Sequence, residues 1–282
     1  MIQYLYLGRV AYDESLRLQA ELIDLRYQCR VGNVLLLLEH PPVLTLGRNA
    51  NRSNVLASDD MLAARGVTLH EINRGGDVTY HGPGQLVGYP IFDLRSLRGP
   101  KGARLGPVDF VRQMEEALIR LCGVYGVGAG RIAGLTGVWC QAPDQGFHSS
   151  KDVPRASAKI GAIGIHVSRG ITSHGFAFNV TTNLDDFRLI NPCGITDRPV
   201  TSLEREVANP GLVPMLESIA NEAARQFGIV FQEQVLAVES LDALRAQARA
   251  SNSPQVPAED TPLQVPREIE RLRGDAERPV RA

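Results

Sequence analysis

Two Gly-spaced runs of apolar residues near the middle of the chain constrain the fold more than any other feature. Residues 159–167 and 171–180 place glycines among large apolar side chains. This pattern is typical of strands in which another backbone or a ligand approaches closely, since glycine leaves room for it. We therefore predict two strands that line a ligand site.

The rest of the chain alternates between strand and helix patterns. Apolar residues at helical spacing predict three long helices. Their bounds are 12–30, 107–122 and 212–227. Continuous or Gly-rich apolar runs predict the strands, at 2–7, 34–38, 43–46, 74–91, 131–140, 159–167 and 171–180. Strands mixed with amphipathic helices indicate an α+β or α/β fold with a mixed, mostly antiparallel sheet flanked by helices.

Composition excludes several classes of function. The formal net charge of the 282 residues is -1, which disfavours nucleic acid as the main partner. The four cysteines are widely spaced and form no CxxC pair, so we expect neither a zinc site nor a disulfide framework. The N-terminus lacks the pattern of a signal peptide, and no apolar run reaches the length that spans a membrane. We expect a cytoplasmic protein without metal or cofactor.

Cys193 and Lys159 are the candidate reactive residues. Cys193 lies between Pro192 and Gly194, which indicates a tight turn, and Lys159 opens an apolar strand whose surroundings would desolvate its ammonium. A thiol on a turn and a desolvated lysine are the two groups that covalent acyl transfer needs. The alternatives are a buried structural cysteine and a lysine solvated at a strand end.

A Gly-rich run, residues 74–85, is the candidate binding loop. Its four glycines stand among Arg, Asp, Tyr, His and Gln, so its amides could line a cleft; a pair of surface turns is the alternative. No phosphate-binding loop and no GxSxG nucleophile motif is present in the sequence. His81, His166 and His174 could act as bases, although isolated histidines are more often structural.

Taken together, these motifs resemble one known family. The runs 74–85, 159–162, 174–177 and 191–194, with 40–47 and 200–203, occur in the order typical of lipoyl(octanoyl) transferases. The resemblance covers roughly residues 1–230. It implies a fold shared with biotin- and lipoate-protein ligases, and transfer of an octanoyl group from acyl-carrier protein to a lysine of a lipoyl domain, the first step of protein lipoylation.

The resemblance also assigns residues. It implies that Cys193 carries the acyl thioester and that Lys159 lowers the pKa of its thiol. The substrate-binding residues that it implies are Arg74, Gly75, Gly76, Asp77, Val78, Thr79, Tyr80, His81, Ala162, Ile163, Gly164, Gly175, Phe176 and Ala177.

The implied partners are octanoyl-acyl-carrier protein as donor, and the lipoyl domains of 2-oxoacid dehydrogenase complexes and the glycine cleavage H protein as acceptors. We expect a monomer that binds neither nucleic acid nor membrane. Residues 1–235 would form the octanoyltransferase catalytic domain and 236–250 a C-terminal helix. Residues 251–282 would form a disordered, Pro-rich tail, and the polar stretch 141–158 would be a loop able to act as a lid.

Three other functions compete with this interpretation. An ATP-dependent lipoate or biotin ligase would share the fold but needs no thiol. A thiol hydrolase would ordinarily pair cysteine with histidine. A fatty-acyl or lipoyl-domain binding module would catalyse no reaction. The Pro-Cys-Gly turn and the lysine favour transfer.

Overall fold

A computed structural model describes residues 1–99, 102–140, 157–191 and 198–250. Residues 141–156, the tail from residue 251 and the segment 192–197, which contains Cys193, lie outside the described residues. No helix in the described part of the chain combines the length and the apolar character that crossing a bilayer requires.

Eleven strands form two sheets within these residues. The strands are β1 (Ile2–Arg9), β2 (Asn33–Glu39), β3 (Val43–Leu46), β4 (Thr68–Glu71), β5 (Val78–His81), β6 (Gln85–Ile91), β7 (Ala129–Ile132), β8 (Leu135–Cys140), β9 (Ala158–Ser168), β10 (Ile171–Asn179) and β11 (Val235–Ala237). The large sheet has the order β11-β1-β2-β6-β10-β9-β8-β7, and the small sheet has the order β4-β3-β5. Only the pairs β1–β11, β1–β2 and β3–β4 are parallel, so the predicted mixed, mostly antiparallel sheet is confirmed.

In the same described ranges, six α-helices accompany the sheets. They are α1 (Tyr12–Tyr27), α2 (Asp59–Ala64), α3 (Pro107–Val124), α4 (Leu203–Glu206), α5 (Leu216–Phe231) and α6 (Leu241–Ala250). The side chains of β2 point alternately to the two faces of the large sheet, and their contacts show where the helices lie. Leu35 and Leu37 pack in the core that α3 and α5 form on one face of the large sheet, whereas Leu36 and Leu38 pack against α1 and α6 on the other. The helices therefore flank the sheet on both faces.

The small sheet has a core of its own. Leu44 and Leu46 of β3 and Val78 and Tyr80 of β5 pack against Leu62 of α2. This second core was not predicted, because β4 and α2 are too short to show a clear period in the sequence.

The bounds of two predicted helices were wrong. Helix α1 ends at Tyr27, and Cys29 lies in the turn beyond it with φ +57°, a conformation that ends a helix. The predicted end at residue 30 therefore lies beyond the helix. The third predicted helix begins at Leu216, not at residue 212, since Pro210–Leu212 form a separate 3-10 turn. Its true extent is Leu216–Phe231.

The unequal lengths of two neighbouring strands create space in the large sheet. β9 continues to Ser168, but β8 pairs with it only as far as Gly161. Beyond that point no strand among the described residues lies beside the outer edge of β9. Instead, the amide of Gly75 donates a 2.9 Å hydrogen bond to the carbonyl of Ile165. The Gly-rich loop thus takes the place of a strand at this edge.

Candidate active site

A cavity of about 600 Å³ lies along the open edge of β9. This volume is within the range of small-molecule sites. The lining includes residues from α1, α3, the Gly-rich loop, the β7–β8 turn and strands β5, β6, β9 and β10. The two Gly-spaced strands and the Gly-rich loop, which the sequence singled out separately, are thus parts of one site.

Glycine at position 164 permits the close contact between loop and strand. A Cβ atom on Gly164 would lie 2.7 Å from the carbonyl oxygen of Gly75 and 3.3 Å from Cδ of Arg74. Real Cβ atoms do not approach a backbone oxygen so closely. The bond between Gly75 and Ile165 therefore depends on the absence of a side chain here.

Arg74 and Asp77 hold this loop in place. The buried guanidinium of Arg74 donates to the carbonyl of Thr45 at 2.7 Å and to that of Gly75 at 3.0 Å. The carboxylate of Asp77 accepts hydrogen bonds from the amides of Asn51 and Val78 and from the side chain of Asn54. Both side chains line the cavity, but their charged groups bind the protein itself.

The side chains of β5 point alternately to its two sides, which divides the predicted binding residues of this strand into two sets. Thr79 and His81 line the cavity, whereas Val78 and Tyr80 point into the core of the small sheet. The hydroxyl of Tyr80 donates to Asp186 at 2.8 Å. Val78 and Tyr80 therefore lie outside the lining of the cavity, because adjacent residues of a strand face opposite sides. The other predicted binding residues lie in the lining: Arg74, Gly75, Gly76, Asp77, Thr79, His81, Ala162, Ile163, Gly164, Gly175, Phe176 and Ala177.

Lys159 lines the cavity and is buried. Its Nζ lies 4.8 Å from the centroid of the Trp139 ring, a cation–π contact. The guanidinium of Arg198 contacts the same ring at 5.9 Å. Lys159 is thus neither a solvated strand end nor a surface residue.

The residues on both sides of the segment 192–197 are anchored beside this cavity. The amide of Asn191 donates to the carbonyl of Asn54, whose side chain binds Asp77. On the other side, the amide of Lys159 donates to Pro199, and the amide of Thr201 donates to the carbonyl of Lys159, each at 2.9 Å. The described residues that flank this segment therefore lie at the wall of the candidate site.

Burial keeps the histidines of the site neutral. Burial is the main cause that lowers the pKa of His81 to about 3 and that of His174 to about 4, and neighbouring charges, which include Arg74, contribute less. His81 donates from Nδ1 to Oε1 of Gln85, while Nε2 of Gln85 donates to the carbonyl of Tyr80, so the tautomer of His81 is fixed. Neither imidazole is a cation at neutral pH. His166, at the outer part of β9, also has a lowered pKa because of burial.

The cavity has an apolar half that the sequence did not reveal. Its apolar lining includes Val108 and Val111 of α3, Leu135 of β8, Ile163 of β9 and Phe176 of β10. Tyr12 and Tyr89 lie in the lining near the histidines. The helical spacing of apolar residues in 107–122 shows which side of α3 is apolar but not that a cavity lies beneath it.

Comparisons with known proteins agree with this architecture. The model of the lipoyl protein ligase A/B catalytic domain matches residues 11–224. An octanoyltransferase of Acidobacterium capsulatum is 59% identical over 245 residues, which cover 85% of this chain and 94% of that protein. One of Koribacter versatilis is 50% identical over 275 residues, 98% of both chains.

Solved structures give the same fold at much lower identity. Lipoate-protein ligase A bound with ATP has a TM-score of 0.54 at 16% identity and covers 89% of this chain and 94% of its own. A bi-partite lipoate protein ligase of Thermoplasma acidophilum has a TM-score of 0.58 at 16% identity, with 89% and 91% covered. The expected lipoate-ligase fold is confirmed. The chain belongs to the lipoyl protein ligase A/B catalytic domain family and, within it, to the octanoyltransferases.

Proposed function

We propose that this protein takes an octanoyl group from acyl-carrier protein as a thioester on Cys193 and passes it to a lysine of a lipoyl domain. The octanoyl transfer follows from the family, whose members at 46–59% identity are octanoyltransferases. The donor, the acceptor and the cysteine intermediate are our proposal. The proposed setting is the cytoplasm, where thiols stay reduced, and the proposed form is a monomer.

The anchoring of Pro199 and Thr201 on Lys159 is the observation that carries the proposal. These two residues bracket the lysine through backbone hydrogen bonds, and the segment with Cys193 ends two residues before Pro199. A short connection between a fixed lysine and a cysteine supports their meeting at the mouth of the cavity. It also explains how two residues far apart in the sequence could act together.

The first half-reaction would use the charge of Lys159. A buried ammonium near Cys193 favours the thiolate over the thiol, because opposite charges attract strongly where water is excluded. The thiolate attacks the carbonyl of the carrier's thioester. The carrier's thiolate leaves, and the octanoyl group remains on Cys193. Backbone amides of β9 between Ala162 and Gly164 are the candidate donors to the oxyanion.

The second half-reaction would use Lys159 as a base. Acylation removes the negative charge of Cys193, so the buried lysine loses a reason to stay protonated and can give up its proton. The neutral Lys159 then accepts a proton from the incoming amine as that amine attacks the thioester. An amide forms, and the thiolate of Cys193 leaves. Neutral His81 and His174 stay outside these proton transfers.

The apolar half of the cavity is the proposed place of the acyl chain. Valines of α3 and Phe176 of β10 offer apolar surface but no charge. Burial of each methylene contributes about 0.8 kcal/mol, so a medium-length chain gains several kcal/mol here. The polar half would then receive the groups on the other side of the thioester.

An ATP-dependent ligase is the second candidate, because solved lipoate ligases share the fold. The two functions differ in what they need from the donor. A transferase converts octanoyl-carrier protein and an apo lipoyl domain to products without ATP, and Cys193→Ser abolishes the reaction. A ligase is inactive without ATP, accepts free octanoate when ATP is present, and tolerates the substitution. Lipoyl-domain mass shifts measured with each donor distinguish them.

A further inference from the structure

Glu115 of α3 is a fully buried carboxylate with no part in the steps above. Oε2 accepts hydrogen bonds from Arg112 at 2.7 Å and from Arg131 at 3.0 Å. Oε1 accepts one from the backbone amide of Gly137 at 3.0 Å. Burial of an ionised side chain is costly unless each oxygen is satisfied, so this arrangement indicates a specific role for the carboxylate.

Gly137 adopts a backbone conformation that other residues rarely reach. Its φ is +126°, which an L side chain strongly disfavours. A Cβ atom at this position would lie 2.6 Å from the carbonyl oxygen of Gly161, 3.1 Å from Cε of Lys159 and 3.6 Å from Nζ of Lys159. The volume that a side chain would fill is thus occupied by the carbonyl oxygen of Gly161 and by the end of Lys159.

The register of the sheet explains why Lys159 can reach this place. Val138 pairs with Gly161, but Trp139 pairs with Lys159, so Ile160 is an extra residue in β9. Such a bulge re-aims the neighbouring side chains. Here it places Lys159 beside the ring of Trp139 and over Gly137.

We propose that Gly137, held by Glu115, is the positioning residue for the ammonium of Lys159. The carboxylate fixes the amide of Gly137, and the absence of a side chain leaves a slot for Cε and Nζ. Neither residue takes part in a chemical step. The inference rests on the proposed function, in which Lys159 acts on Cys193.

The test compares Gly137→Ala with Gly126→Ala. Gly126 also has a positive φ, +72°, but a Cβ atom there would have nothing within 4 Å. Both changes place a side chain at a positive φ, but only in Gly137→Ala does the new Cβ meet other atoms, the carbonyl oxygen of Gly161 and the end of Lys159. The rate of alkylation of Cys193 by iodoacetamide is followed against pH by peptide mass, which separates it from the other cysteines. Steady-state kcat and KM are measured with octanoyl-carrier protein.

Gly137→Ala should raise the midpoint of the alkylation profile by about one pH unit or more, since the thiolate loses its nearby cation. It should lower kcat about tenfold or more and leave KM within about twofold, because the acyl site is unchanged. Gly126→Ala should keep the profile of the unaltered protein. An unshifted midpoint in Gly137→Ala, or an equal shift in both variants, would overturn the inference.

A second pair of variants covers the case in which Gly137→Ala does not fold. Glu115→Gln keeps an acceptor for the Gly137 amide, whereas Glu115→Leu removes it. The pH midpoint should rise more in Glu115→Leu than in Glu115→Gln, and equal midpoints would count against the role of Glu115. The unaltered protein tells a failure of the proposed function from a failure of the positioning role. If it forms no octanoyl adduct on Cys193, the proposed function fails. If it does and the variants keep its pH profile, only the positioning role fails.

Discussion

His40 should make the stability of this protein depend on pH in a way that one substitution can isolate. The ring has no exposed surface, donates from Nδ1 to the carbonyl of Val10 and accepts at Nε2 from the hydroxyl of Tyr89, each at 2.7 Å. Burial lowers its pKa from 6.5 to about 4. Tyr89 lines the cavity, so the hydrogen bond from its hydroxyl to His40 helps to hold the cavity wall in place.

The sign of the effect follows from proton binding. Between pH 6.5 and about pH 4 the unfolded chain protonates His40 and the folded protein does not. The unfolded state then binds more protons, so the free energy of unfolding falls as the pH falls through this window. A difference of about 2.5 pH units corresponds to about 3 kcal/mol, all of it retained above pH 6.5.

The assay is urea unfolding of the unaltered protein and of His40→Gln at half-unit steps from pH 4 to pH 7.5. Glutamine can occupy both hydrogen-bond positions but does not titrate. The variant should be less stable at pH 7 and should lose about 3 kcal/mol less than the unaltered protein on acidification. Parallel curves for the two proteins would refute the assignment of a neutral, buried imidazole at position 40.

Three further predictions concern the cavity. Lys159→Arg should retain much of the acylation of Cys193, because arginine keeps the charge. It should slow aminolysis by about 100-fold or more, because arginine does not release its proton. Rapid-quench mass analysis of each half-reaction checks this, and normal rates of both would exclude Lys159 as the base. Gly164→Ala should lower the free energy of unfolding by about 1–3 kcal/mol through the clash with Gly75; an unchanged urea midpoint would contradict it. Val111→Phe should favour shorter acyl chains by about 10-fold or more in kcat/KM; an unchanged ratio of hexanoyl to octanoyl transfer would place the chain elsewhere.

Much of the fold follows from patterns that are local in the sequence. The run Val34–Leu38 predicts a strand buried on both faces, and β2 is indeed buried in the centre of the large sheet. Proline at position 107 begins α3, as its favourable place in a first helical turn suggests. The start of α5 was misplaced because apolar spacing continues back through Val213, where the chain is not helical.

The sequence predicted which segments form the site but not which of their side chains line the cavity. Sequence motifs indicated the Gly-rich loop, β9 and β10, and all three lie on the cavity. They could not reveal that Val78 and Tyr80 face away, which depends on the register of β5 against β3. Nor could they reveal Glu115, since its partner Gly137 is 22 residues away and acts through its backbone.

The cysteine intermediate is the central claim, and intact-mass analysis tests it most directly. The protein is mixed with octanoyl-carrier protein without ATP, and its mass is measured before and after addition of an apo lipoyl domain. We expect one octanoyl group on the protein, mapped to Cys193, which disappears as the lipoyl domain gains the same mass. Transfer to the lipoyl domain by Cys193→Ser at an undiminished rate would contradict the account.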